Sequence, residues 1–345
     1  MPMPKPKKDE SRNDFVSRCM SDDVMKKDFP DNAQRTAVCE KQYDNRNHKA
    51  SAQGSLLRVS RALYCEAWLI TAEMHAIMCS ILEAHIAGGQ NELERRLIGE
   101  FVSGKIPADV PSNPEDDGPR YMSANGIGVI PLQGVIGRKV GALQKSSGVS
   151  DIQDFMDMLD EGMADKSARC LMLDIDSPGG TVTGVPEAAA AVARARAVKP
   201  IMAFASGMCA SAAYWVASQC DAIYSEPSAT VGSIGVYSYV LDRTRAYENN
   251  GVKVDVFSSG KHKAAGLPGT ALSPEQRSEM QGRVDALASM FKGTVLSMRP
   301  QISAAAMEGQ TFFGAGARAA GLVDSVSTFE QAMADCLRMA ALRGK

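Results

Sequence analysis

The sequence predicts an α/β fold with a largely parallel sheet, and three observations carry the prediction. Apolar runs at 127–132, 169–175 and 201–205 have the length of buried strands. Helical segments at 150–161, 184–197 (rich in alanine) and about 210–218 alternate with those runs. The run at 169–175 is almost continuously apolar, as a strand covered on both faces must be. Strands alternating with helices imply parallel pairing with crossover helices.

Further elements follow along the chain. Short strands are predicted at 222–224 and 234–237, a helix at 240–249 and a strand at 252–257. A long helix is expected at 274–298, where Ser273-Pro274 reads as a cap followed by a first-turn proline. Helices at 303–308, 314–320 and 328–342 surround a short strand at 321–324. Upstream, residues 126–345 are preceded by three stretches of different texture. Residues 1–54 are polar, with Phe15, Val16, Met20, Met25, Phe29 and Val38 spaced as a weakly amphipathic pair of short helices. These break at 29–31, with Asp31 or Asn32 as the next cap. Residues 55–104 read as a helical lead-in, and 105–125 as a proline-rich linker.

Composition narrows the function. The 345 residues carry 38 Lys and Arg against 40 Asp and Glu, a formal charge of −2, so nothing biases the whole molecule toward nucleic acid. The basic N-terminus has no apolar stretch behind it, unlike a secretory signal. No window is apolar enough for a membrane span. The best candidate, 63–87, contains Glu66, Glu73, His75, Glu83 and His85, and is expected to be an amphipathic helix packed on protein. The eight cysteines show no paired spacing and read as reduced intracellular thiols. Neither Cys19, Cys39 and His48 nor Cys65, His75, Cys79 and His85 has the close spacing of a structural zinc site, so no metal or cofactor is expected.

Three segments carry the parts of a nucleophilic site. Asp176-Ser177-Pro178-Gly179-Gly180 follows a strand, and its glycines can aim the Gly180 N–H into a cleft. Ala210-Ser211-Ala212-Ala213 places Ser211 at a helix start, where the Ala212 N–H has no intrahelical acceptor. Ser259-Gly260-Lys261-His262-Lys263 offers Lys263 as a base. A lysine base must be neutral, so its pKa has to fall from about 10.4 toward 7–8, and burial can supply that shift. His262 is the competing base. The bland alternatives are a small serine at a tight helix–sheet contact, an ordinary strand-to-helix turn and a surface lysine.

These segments, together with Val-Gly-Ser-Ile-Gly-Val at 231–236, resemble the signature segments of the signal peptide peptidase A (S49) family of serine peptidases. The resemblance spans about residues 126–330. It implies a ClpP/crotonase-like domain of repeated β-β-α units with an N-terminal helical extension. It also implies that Ser211 is the nucleophile, Lys263 the general base and Ser233 the residue orienting that lysine, with Gly180 and Ala212 as the oxyanion hole. The helical lead-in and proline-rich linker, with no membrane anchor before the domain, look like the phage head maturation branch. That branch implies polypeptide substrates (scaffold and capsid precursors, and the chain itself), a homo-oligomer, and action inside the procapsid in the host cytoplasm. It implies no cofactor, nucleic acid or membrane. The alternatives are a general protein-degrading peptidase of the same family, a crotonase-type acyl-CoA enzyme and an inactive head-assembly scaffold. The acyl-CoA reading would need acidic catalytic residues and a nucleotide pocket that the sequence does not place. The intact Ser211 and Lys263 argue against the scaffold.

Overall fold

The computed structural model describes residues 4, 11–28, 31–39, 67–80, 120–140 and 148–343, apart from 33, 37, 73 and 77. The chain divides into two compact units, residues 1–61 and 62–345.

In the first unit, helix Arg12–Ser21 starts at Ser11, whose hydroxyl accepts the Asp14 N–H. Helix Asp23–Asp28 follows at once, with Asp22 Oδ1 accepting from Val24 and Met25 N–H at 3.0 and 3.2 Å. Asp31 caps the next helical stretch, accepting the Gln34 N–H at 2.7 Å. Phe15, Cys19, Met25 and Cys39 are fully buried and form the unit's core. The expectation that all cysteines are reduced is corrected here, because Cys19 and Cys39 form a disulfide. The cross-link stabilises the unit by restricting the unfolded chain. A separation of 20 residues carries no signal of it in the sequence.

The second unit repeats one motif: a long strand in a main sheet, a short strand in a second sheet, then a helix. Ile127–Gln133 (β3) leads into Val135–Gly137 (β4), then Val149–Asp151 (β5) and helix Ile152–Ala164. Cys170–Ser177 (β6) leads into Gly179–Thr181 (β7) and helix Val185–Arg196. Ile201–Ala210 (β8) passes directly into helix Ala212–Ala217. β3, β6 and β8 run parallel in the main sheet, and Ala222–Ser225 (β9) and Thr230–Gly232 (β10) flank β8 in the same sense. The expected α/β class and the repeated β-β-α unit are both present.

The apolar run of β6 has the anticipated cause. Leu171, Leu173 and Ile175 face a core shared with helices Ile152–Ala164 and Val185–Arg196. Cys170 and Met172 face a second core closed by helix Phe329–Arg343. The long helix occupies Pro274–Met298, with a full capping box between Ser273 and Gln276. It docks through Phe291, which stacks on Trp215 with ring centroids 4.5 Å apart. The C-terminus of Ile152–Ala164 is closed by Lys199, whose ammonium donates to the carbonyls of Gly162, Met163 and Asp165 at 2.7, 3.4 and 2.8 Å.

Four local expectations are corrected. The helix expected over 63–87 is interrupted by a strand, Trp68–Ile70 (β1), and among the described residues of that stretch helical geometry appears only after Thr71. Trp, Leu and Ile favour extended backbone, and a strand edge at β7 is available to receive them. Residues 252–257 form no strand, because no strand among the described residues pairs with that largely exposed stretch. Of 234–237, only Tyr237 makes a bridge, to Trp68. The strand expected at 321–324 lies instead at Ser325–Val326 (β12), beside β9. Short strands also went unforeseen, among them β4, β5, β7, Met122–Ala124 (β2), antiparallel to β3, and Thr311–Phe313 (β11), antiparallel to β10. The remainder of the lead-in and most of the proline-rich linker lie outside the described residues; the linker's described end forms β2.

Candidate active site

Ser211 stands at the junction of β8 and helix Ala212–Ala217. Its backbone has φ 54° and ψ −114°, a region that residues bearing a Cβ seldom occupy. Hydrogen bonds hold it there on both sides. Its N–H donates to the Gly232 carbonyl at 2.8 Å, and its carbonyl accepts the Trp215 N–H at 2.9 Å. The side chain is 1% exposed, and its hydroxyl has no hydrogen-bond partner. A buried hydroxyl without a partner costs stability, which marks the position as held for something other than packing. As the first residue of the helix, Ala212 presents an N–H beyond the reach of intrahelical bonding.

The turn at 176–180 is built by its own polar residues. Ser177 is buried; its hydroxyl donates to the Gly134 carbonyl at 2.6 Å and accepts the Gly179 N–H at 3.2 Å. Asp176 Oδ1 accepts the Met208 N–H at 2.9 Å, where the β6–β8 register shifts. Gly179 lies at φ 101°, and a Cβ there would stand 3.0 Å from the Ser211 Cβ and would strike the Leu69 carbonyl oxygen. A Cβ on Gly180 would strike the Ile136 carbonyl oxygen. Only glycine permits both approaches.

Ser233 is also close to Ser211. It is buried, sits at φ 52°, and its N–H donates to the Gln310 carbonyl at 2.8 Å. It follows Gly232, which is the register partner of Ala210 and the acceptor of the Ser211 N–H. The fold therefore gathers Ser211, Ala212, Ser233, Gly179 and Gly180 at the ends of β7, β8 and β10.

Lys263 makes no hydrogen bond to the Ser211 hydroxyl, which has no partner among the described residues. The lysine is exposed, in a turn where its N–H donates to the Gly260 carbonyl at 3.1 Å. His262 is exposed beside it. The burial expected for a neutral amine is thus absent here. Its segment rests on the long helix through Gln276, whose side-chain amide donates to the Lys261 carbonyl at 2.8 Å. Apolar side chains in the same region face solvent, with Val252 48% and Phe257 97% exposed.

Sequence reasoning missed the strand that lies on this site. β1 pairs antiparallel with β7, Leu69 opposite Gly180, and Trp68 bridges to Tyr237 on its other side. His75 shares a 2.6 Å hydrogen bond with the Tyr237 hydroxyl, and its ring packs on Trp68 at 4.8 Å. Burial pushes the Tyr237 hydroxyl's pKa well up. The aromatic spacing of 68, 75, 237 and 239 is uninformative in a sequence where the two halves lie 160 residues apart.

Among the described residues no cluster of side chains could hold a metal ion, and no helix is long and apolar enough to cross a membrane.

Residues 193–343 match the sequence profile of peptidase family S49. The chain is 35% identical to the capsid assembly protease C of Escherichia phage lambda, over 51% of this chain and 41% of that protein. It is 33% identical to the head-tail preconnector protein GP5 of Enterobacteria phage P21, over 66% of this chain and 44% of that protein. Protease 4 of Salmonella typhi is 31% identical over 52% of this chain and 29% of its own length. The matched regions thus span less than half of these relatives. Among solved structures, the chain is similar to an enoyl-CoA hydratase from Mycobacterium marinum, with TM-score 0.37 and 17% identity over 65% of this chain and 87% of that one. It is also similar to a membrane-bound stomatin-specific protease, with TM-score 0.35 and 10% identity over 61% of this chain and 84% of that one. The segment similar to peptidase family S49 thus begins within helix Val185–Arg196 and includes Ser211 and the long capped helix.

Proposed function

We propose that this chain is a serine endopeptidase that cuts head-assembly polypeptides of a phage. The observation that carries the reading is Ser211: a buried hydroxyl without a partner, on a backbone held at φ 54°, against a double-glycine turn. The relatives named as a capsid assembly protease and a head-tail preconnector support the substrate class.

In this reading Lys263, uncharged, takes the Ser211 proton as the hydroxyl oxygen attacks a peptide carbonyl. The N–H groups of Gly180 and Ala212 receive the oxyanion, and Ser233 orients the amine. The peptide C–N bond breaks as Lys263 returns the proton to the leaving amine. Water, deprotonated by the same lysine, then releases the acyl group from Ser211.

The exposed position of Lys263 sets a condition on this chemistry. The segment must close onto Ser211, or a second copy must deliver the lysine. The second route fits the exposed Val252, Val256 and Phe257, which contact with another copy would cover while desolvating the amine. The test is to incubate the purified full chain with phage capsid and scaffold precursors. Cut products are expected from the wild type and none from Ser211→Ala or Lys263→Ala. Cleavage retained by Lys263→Ala would transfer the base role to His262; cleavage retained by Ser211→Ala would end the proposal.

A further inference from the structure

Strand β1 lies where a peptide substrate would have to lie. It has a partner on both edges: β7 on one side and Tyr237 on the other. Trp68 and Tyr237 exchange two backbone hydrogen bonds, the Trp68 N–H to the Tyr237 carbonyl at 2.9 Å and the Tyr237 N–H to the Trp68 carbonyl at 3.2 Å. Along β7, the Val182 N–H donates to the Ala67 carbonyl and the Thr71 N–H to the Pro178 carbonyl. Hydrogen-bonded pairs alternate in an antiparallel ladder, so Leu69 and Gly180, midway between those two, face each other as the next such pair. The Gly180 N–H, a candidate oxyanion donor, is therefore directed at the Leu69 carbonyl. The Leu69 carbonyl carbon and the Ser211 Cβ each lie 3.0 Å from the point that a Cβ on Gly179 would occupy. A carbonyl facing the oxyanion donor beside the nucleophile is the arrangement of a bound peptide at its scissile bond.

We infer that residues 67–71 are a tethered, substrate-like strand that fills the polypeptide groove and keeps Ser211 latent until it is displaced. The inference rests on the peptidase reading above. The buried Trp68, Leu69 and Ile70, each no more than 3% exposed, mark the groove as one that takes an extended apolar peptide. His75 and Tyr237 clamp the segment at Trp68 rather than at the carbonyl of Leu69. The latch is thus separate from the reacting position.

The test measures access to position 211 independently of catalysis. In the full chain, Ser211→Cys introduces a thiol whose alkylation by N-ethylmaleimide is followed by fragment mass spectrometry, which separates it from Cys209. Adding Leu69→Lys forces a charge into the groove and drives the strand out. Alkylation at 211 is expected to accelerate by about tenfold or more. Equal rates in the two folded proteins would overturn the inference. Should Leu69→Lys fail to fold, hydrogen exchange on the unmodified chain decides. Amides of 68–71 are expected to exchange faster than those of 171–175 by about tenfold or more, and equal protection would make β1 a permanent part of the sheet. A fluorophosphonate applied to Leu69→Lys, with Ser211 intact, separates the two readings. Labelling of Ser211 supports both. An accessible 211 position without labelling would overturn the peptidase reading while upholding the occluding strand.

Discussion

Ser211 shows how a single residue stores the tension of a site. Its φ of 54° and ψ of −114° suit glycine and disfavour a residue with a Cβ, and its hydroxyl is buried without a partner. Both features cost stability, so Ser211→Gly is expected to raise the unfolding free energy by about 1 kcal/mol or more while abolishing cleavage. Chemical denaturation of the two proteins checks this, and a less stable glycine variant would show that the serine is there for packing. The residue was legible because its small neighbours, Ala210, Ala212 and Ala213, allow close approach. Gly180 was read from its tandem-glycine turn and Ser233 from the family resemblance; the turn's Gly179 lies against Ser211, and Ser233 follows Gly232, which accepts the Ser211 N–H. The Cys19–Cys39 pair was not legible, because pairing depends on how two short helices cross and spacing does not record that.

At the level of elements, what packs on two faces announced itself and what depends on a distant edge did not. β3, β6 and β8 are long and apolar because sheet neighbours and helices cover them, and the helix Pro274–Met298 carries its own start signal in Ser273 and Pro274. β1, β10 and β11 are three residues each, too short for periodicity, and they exist through partners far along the chain. In isolation, residues 63–87 have helical spacing, and only the edge at β7 draws Trp68–Ile70 into a strand. Side chains outside an element also finish it. Lys199 donates to three carbonyls at the end of helix Ile152–Ala164. Burial lowers the pKa of that ammonium, so part of what the three carbonyls contribute offsets desolvation. Lys199→Met, which keeps the stem and removes the donor, is expected to cost about 1–3 kcal/mol. Urea unfolding is the check, and an unchanged midpoint would assign the helix end to solvent.

The whole molecule raises the question of how many copies make one site. Within one chain Ser211 lies against the double-glycine turn, whereas Lys263 stands in an exposed turn among exposed apolar side chains. If neighbouring copies complete each other, mixing Ser211→Ala with Lys263→Ala protein is expected to restore cleavage that neither shows alone. The restored level is expected to be at most about a quarter of wild type, since only a quarter of randomly paired sites combine an intact serine with an intact lysine. No recovery after co-refolding would place both residues of a working site on one chain. The cross-link in the first unit has its own consequence for any such assay. Residues 19 and 39 close a covalent ring, so a nick between them opens the ring without releasing a fragment. Trimming there would escape a non-reducing gel entirely, and two shorter bands would separate only once a thiol reagent had been added.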